Sequence, residues 1–366
     1  MLSDKNTIVL LSIVRAGLFP VPGEGGMVHD SLFKDVDWNE VYQMAQEQSV
    51  QGLVLAGIER LKNANVDLNL DQKLLFQYIG EVQMIEQRNK AMNTFVADLI
   101  EKMQSADIYA LLVKGQGIAQ CYEKPLWRSC GDVDLLLSNS NYSKAKDFLL
   151  PLSTGNKPDE RYSKHLGMNI DKWYVEIHGT LRTGLSGRID KEIDDVQRDV
   201  FYKGNVRSVE FKNSKGTSVQ VFLPAPSEDV FFVFTHFIKH FYKEGMNLRQ
   251  ICDWCRLLWT YRESLNYGNL ESRINKAGLM GEWRAFYNLA NRYLGMPDLD
   301  SRLLVHDSRF DKKAEKLMDF ILGGYSGNKI KDTLQIAKIF PWKALRYSPS
   351  IFLNVNWMKV RERLFK

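Results

Sequence analysis

The stretch CGDVDLLL, residues 130–137, constrains the chain most, because it sets two aspartates one residue apart at the mouth of an apolar run. In a β-strand, side chains alternate between faces, so Asp132 and Asp134 point the same way with Cα atoms about 6–7 Å apart, while Val133 points into the core. Like charges held that close repel unless a cation, an arginine or a shared proton lies between them. The neighbouring sequence bears on which of the three applies.

Two other stretches carry matching chemistry. LLVKGQG, residues 111–117, sets glycines directly after a short apolar strand and at the start of a helix. Free backbone N–H groups and the helix dipole favour phosphate there, and Lys114 adds a point charge. Asp132 follows Gly115 by seventeen residues. YVEIH, residues 174–178, then brings Glu176 and His178 to one side of a further strand. If that strand neighbours the Asp132 strand, three carboxylates meet near the phosphate turn. Such a cluster of hard oxygen donors suits Mg²⁺, one ion or two, with Mn²⁺ as a substitute. Each piece also has a plainer reading: a DxD pair caps a strand or meets arginines, and Glu176 pairs with Arg128. The conjunction favours the metal.

Around these motifs the chain divides into three. Residues 1–104 read as helices, with Asp37 and Asp71 as N-caps and Glu40 three residues beyond Asp37. Residues 105–225 switch to strand patterns at 108–113, 133–138, 168–181, 205–211 and 218–224, the last two joined by KNSKGT; GIAQCYEK forms two helical turns before Pro125. Residues 226–366 return to helix, starting at a Ser227 cap, with Val230, Val233, Phe234, Phe237, Ile238 and Phe241 as an apolar stripe. Asp229, His236 and His240 follow one edge of that helix. HFIKH lacks the glutamate of HExxH and reads as a pair lining a cleft rather than a zinc site. The expected fold is therefore α+β, a small mixed sheet inserted between two helical regions. At 366 residues, two or three packed units are expected.

Composition excludes several classes. With 45% hydrophobic and 25% charged residues and no repeat, the chain is globular rather than disordered or low in complexity. A net charge of +5 names no nucleic-acid partner. The excess sits after residue 328, where nine basic residues face Asp332 and Glu362, with Phe340, Trp342, Tyr347, Phe352 and Trp357 among them. That tail reads either as a peripheral contact for a membrane surface or anionic polymer, or as a basic helical surface packed on its own domain. IVLLSIVRAGLF is too short to span a bilayer, and no secretory pattern surrounds it, so the cytoplasm is the expected compartment. The four cysteines, including Cys252 and Cys255, fall on buried helical spacing and read as core thiols.

The stretch KGQGIAQCYEKPLWRSCGDVDLLL resembles the core motif of the uncharacterised bacterial nucleotidyltransferase family, within the DNA polymerase beta-like superfamily. LLSIVRAGL, DWNEVYQMAQEQSV, VEIHGTL and LRQICDW extend the resemblance over most of residues 8–260. It implies Asp132, Asp134 and Glu176 as catalytic metal ligands, and Lys114, Gly115, Gly117, Arg128, Ser129 and His178 as nucleotide-handling residues, with His165 a second pocket histidine. The superfamily usually carries Gly-Ser or Gly-Gly at the first turn and a third aspartate, where this chain has KGQG and Glu176. The implied activity is Mg²⁺-dependent transfer of an NMP from an NTP to an acceptor hydroxyl or phosphate, releasing pyrophosphate. Alternatives are a degenerate nucleotide-binding regulatory module and a phosphotransferase acting on a surface glycan.

Overall fold

The computed structural model describes residue 2 and residues 4–19, 29–156, 164–300 and 308–347. Four helices come first: α1 (Lys5–Leu18), α2 (Trp38–Glu47), α3 (Gln51–Asn63) and the long α4 (Gln72–Ser105). Their starts follow local chemistry. The Asp37 carboxylate accepts from the backbone N–H groups of Asn39 and Glu40, and Asp71 accepts from that of Leu74. Glu40 does not close a capping box; its carboxylate accepts from the Asn6 side chain of α1.

Next come β1 (Ala110–Val113), α5 (Gly115–Ala119), β2 (Val133–Leu137), α6 (Asn139–Leu149), β3 (Ser153–Asn156), β4 (His165–Ile170), β5 (Trp173–His178), α7 (Gly187–Tyr202), β6 (Val206–Lys212) and β7 (Ser218–Pro224). The run 168–181 is thus not one strand. It belongs to a β4–β5 hairpin whose turn is Asp171 and Lys172, and Asp171 adopts φ +52°, which aspartate tolerates better than most residues. The helix after β1 is also shorter than expected: α5 stops at Ala119, and a separate turn, Pro125–Trp127, follows.

Five strands form one sheet in the order β1-β2-β5-β4-β3, all pairs antiparallel except β2 with β5. The parallel pair requires a crossover, which α6, β3 and β4 supply. Strands β6 and β7 form a separate hairpin. The fold is α+β, a small mixed sheet flanked by helical regions.

Strand alternation divides the sheet between two cores. Ala110, Leu112, Val133, Leu135, Val175 and Ile177 pack with Met92, Val96, Ile100 and Met103 from the second half of α4. Leu111, Val113 and Leu136 face the other way, into a larger core shared by α1–α3 and the C-terminal helices. Those helices are α8 (Pro226–Lys243), α9 (Leu248–Thr260), α10 (Tyr267–Ala277), α11 (Met280–Leu294), α12 (Ser308–Leu322), α13 (Lys329–Ala337) and α14 (Pro341–Tyr347). The stripe expected on α8 is buried throughout. Its start differs from the sequence reading: Ala225 is the N-cap with Pro226 in the first turn, and Ser227 instead accepts from the Asn266 backbone N–H. All four cysteines are buried and unpaired.

The tail is partly internal. Phe340 and Tyr347 are buried, Lys343 pairs with the buried Glu282 at 2.7 Å, and Trp342 is exposed. Phe352, Trp357 and the basic residues after 347 lie outside the described residues.

Candidate active site

Even-numbered positions of β2 and β5 face the helical core, and there the polar groups gather. The register sets Asp134 opposite Glu176 and Leu136 opposite His178, while Val113 of β1 opposes Asp134, so Lys114 leaves β1 at the same level. Asp132 lies one position before β2. The ligand oxygens of Asp132, Asp134 and Glu176 all lie within 4.8 Å of one another. Sequence spacing expected this meeting of three carboxylates, and the parallel β2–β5 pair produces it.

Lys114 is held with φ +57° and ψ −143°, a backbone region that L-residues rarely enter, and Gly115 follows at φ +31°. That bend turns the Lys114 ammonium back onto the strand, where Nζ donates to Asp134 Oδ1 at 2.7 Å. His178 Nε2 reaches the same oxygen at 2.8 Å and stands 3.6 Å from Glu176 Oε2. His165 of β4 stacks on His178 with ring centroids 4.7 Å apart and brings its Nε2 to 3.1 Å from Glu176.

Charge in this cluster is unevenly compensated. Burial alone would raise the Asp134 pKa, but the Lys114 charge and the His178 hydrogen bond drive it far below the usual carboxylate range. Burial would likewise raise Glu176, yet the two histidines leave it below its ordinary value. Lys114 is raised: burial disfavours its charge, and Asp134, Glu176 and Asp132 outweigh that. His178 is lowered by burial and by the Lys114 charge, the Asp134 hydrogen bond offsetting them in part. Asp132 is the unsatisfied member, pushed up to about 6 by burial and then by the Asp134 charge. Three carboxylates share one ammonium. The donor set is hard oxygen, two positive charges short, which fits a divalent ion of the Mg²⁺ kind.

The cluster floors a cavity of about 560 Å³ between the sheet and helices α8 and α9. This is ample for a nucleotide. His236 and His240 line its opposite wall with their Nε2 atoms 3.0 Å apart. Burial keeps both pKa values low. Asp229 shares their helix edge but not their cavity; it is buried against Arg207 at 2.8 Å.

Other sequence-expected residues lie differently. Gly115 lines the cavity, whereas Gly117 does not: it packs under Leu223 of β7, whose Cδ2 would have to move to admit a Cβ there. Arg128 reaches the cavity edge, but its partner is Asp253 of α9, with Nε and Nη2 donating at 2.7 and 2.6 Å, rather than Glu176. Ser129 lines a second cavity, of about 290 Å³, between α3 and the loop before β2. Arg182, Lys239 and Arg249 also line the larger cavity. Sequence reasoning passed over all three: Lys239 and Arg249 come from distant helices, and Arg182 from the loop after β5, and no short motif marks any of them. The only signal was LRQICDW, which contains Arg249.

A nucleotidyltransferase is the class of protein that this site and fold describe, and comparison with known families agrees. The model of the family described as "Uncharacterised nucleotidyltransferase" matches residues 34–295, and the chain belongs to that family. Membership supports nucleotidyl transfer as the general activity. No curated protein matches. Among solved structures, the chain is similar to an antigenic nucleotidyltransferase-like protein from Paracoccidioides brasiliensis at 14% identity, over 58% of this chain and 95% of that one. The TM-score of that match is 0.34.

Proposed function

We propose that the protein is a Mg²⁺-dependent nucleotidyltransferase that moves an NMP from an NTP to an acceptor hydroxyl or phosphate and releases pyrophosphate. One observation carries the reading: three carboxylates from two adjacent parallel strands converge within 4.8 Å on the floor of a nucleotide-sized cavity. Asp132, Asp134 and Glu176 would hold the ion, which supplies charge neutralisation at the phosphates and a more acidic acceptor hydroxyl.

The chain's own residues do the rest. Lys114 fixes the Asp134 carboxylate and presents positive charge beside the phosphates, while His178 and His165 buttress Asp134 and Glu176. The acceptor oxygen attacks the α-phosphorus, the bond to the β-phosphate oxygen breaks, and pyrophosphate leaves with that electron pair. The hydroxyl proton passes to solvent, the three carboxylates being engaged with the ion. The acceptor's identity is not needed to test the first half of this scheme.

A second reading, nucleotide binding without turnover, draws support from Asp134 Oδ1, which already takes both Lys114 and His178. Equilibrium dialysis with each labelled NTP and Mg²⁺, followed by pyrophosphate assay with hydroxyl acceptors, separates the two. The expected result is metal-dependent binding, lost by more than about tenfold in an Asp132→Asn, Asp134→Asn double variant. Failure of the unaltered protein to bind any nucleotide in the presence of metal ends both readings.

A further inference from the structure

Five cationic residues line the larger cavity, and four are already committed to carboxylates. Lys114 is paired with Asp134, Arg128 with Asp253, Arg182 with Asp194, and Lys239 with Glu244. Arg249 is the exception. Among the described residues no carboxylate lies within 4 Å of its guanidinium; Nη1 donates to the Ser129 carbonyl at 2.6 Å, and Nε is buried without a partner.

Its setting makes that lack of compensation costly. Arg249 occupies the first turn of α9, at the positive end of the helix dipole. Burial and the neighbouring Arg128 charge both work against its own, with Asp253 offsetting them only in part. The first-turn N–H groups of α9 do not serve as an anion site themselves, because Leu248 and Arg249 give theirs to the side chain and backbone of Gln48. What faces the cavity is a fork of donors with a positive charge and no anion.

We propose that Arg249 is the phosphate-binding arginine of this site, contacting the β- and γ-phosphates of the donor nucleotide that become the pyrophosphate leaving group. The inference rests on the nucleotidyltransferase reading and assigns the role that the family resemblance implied for Arg128. Arg128 cannot take it cheaply. Its Nε and Nη2 are spent on Asp253 and its Nη1 on the Ser129 carbonyl, and freeing the first two would break a buried ion pair. Turning to a phosphate costs Arg249 at most its hydrogen bond to the Ser129 carbonyl and breaks no ion pair, and phosphate suits a bidentate guanidinium. It also lines both the larger cavity and the one lined by Ser129.

The test uses the full chain with Mg²⁺, titrated with the NTP that it binds best, the matching NMP, and inorganic pyrophosphate. In Arg249→Gln, NTP and pyrophosphate affinity should fall about 10- to 100-fold. NMP affinity should stay within about twofold, so that the preference for NTP collapses. Arg249→Lys keeps the charge without the fork and should fall between. Thermal unfolding of each variant shows whether the fold survives, and if the glutamine variant does not fold, the lysine variant decides. Unchanged NTP binding in a folded variant overturns the proposal. So does equal loss of NMP and NTP, or a loss confined to a phosphorylated acceptor. If the unaltered protein binds no nucleotide, the functional reading falls with it, an outcome distinct from wild-type binding that ignores Arg249.

Discussion

Asp132 ionises against resistance, and the consequence can be measured without any substrate. Its folded-state pKa of about 6 lies above the ordinary value of 3.8. A raised carboxyl pKa means that the folded state holds the proton more tightly than the unfolded chain does. The stability this contributes is fully present below about pH 4 and is lost as pH rises through about 6. At pH 8 in chelator, therefore, Asp132→Asn should stabilise the protein by about 1–2 kcal/mol. The gain should shrink as pH falls from 6 towards 4. Thermal denaturation across that range checks it, and a destabilised asparagine variant at pH 8 would contradict the charge reading. Metal binding should show the complementary trend, strengthening as pH passes upward through 6, because the ion competes with that proton. The DxD spacing made this pair legible in the sequence. Which of the two aspartates is satisfied was not, since that depends on where Lys114 and His178 reach.

Helices α1 and α3 cross so closely that two glycines have no room for a side chain. A Cβ on Gly57 would lie 2.1 Å from the Ile13 carbonyl oxygen, and one on Gly17 would lie 2.2 Å from that of Leu53. Both obstacles are backbone and cannot swing aside. Gly57→Ala should therefore cost about 2 kcal/mol or more despite the better helix propensity of alanine. Gly80 of α4 is the control, with open space around a built Cβ, and its replacement by alanine should add about 0.5–1 kcal/mol. Urea denaturation of the two variants should move the midpoint in opposite directions. At this scale the sequence was informative about helix starts, because Asp37 and Asp71 act on N–H groups two or three residues away. It was less so at 168–181, where a hairpin turn of Asp171 and Lys172 contains neither glycine nor proline.

The whole molecule has a core in which sheet and helices are not separable. Leu111, Val113 and Leu136 of the sheet pack in the same cluster as Trp254 and Trp283 of the C-terminal helices and Val9 and Ile13 of α1. The second half of α4 covers the opposite sheet face. Stripping either region from the sheet would expose a buried apolar face, so the parts should unfold together. Tryptophan fluorescence and far-UV ellipticity should fall in one coincident urea transition. Two resolved transitions would show that the helical regions and the sheet are energetically independent. The candidate site lies between these same layers, with Asp134, Glu176 and His178 on the sheet face that looks toward α8 and α9.

By itself the sequence determined the period-2 and helical patterns, the helix caps at Asp37 and Asp71, and the one-residue spacing of Asp132 with Asp134 and of Glu176 with His178. Each depends on residues close together in the chain, where strand pleat and helix pitch fix directions. Tertiary structure alone decided that β5 lies beside β2, that Asp253 takes Arg128, and that Arg249 is left facing the cavity without a carboxylate. Those pairings join residues more than forty positions apart, and local geometry carries no information about which distant group arrives to share or compete for a charge.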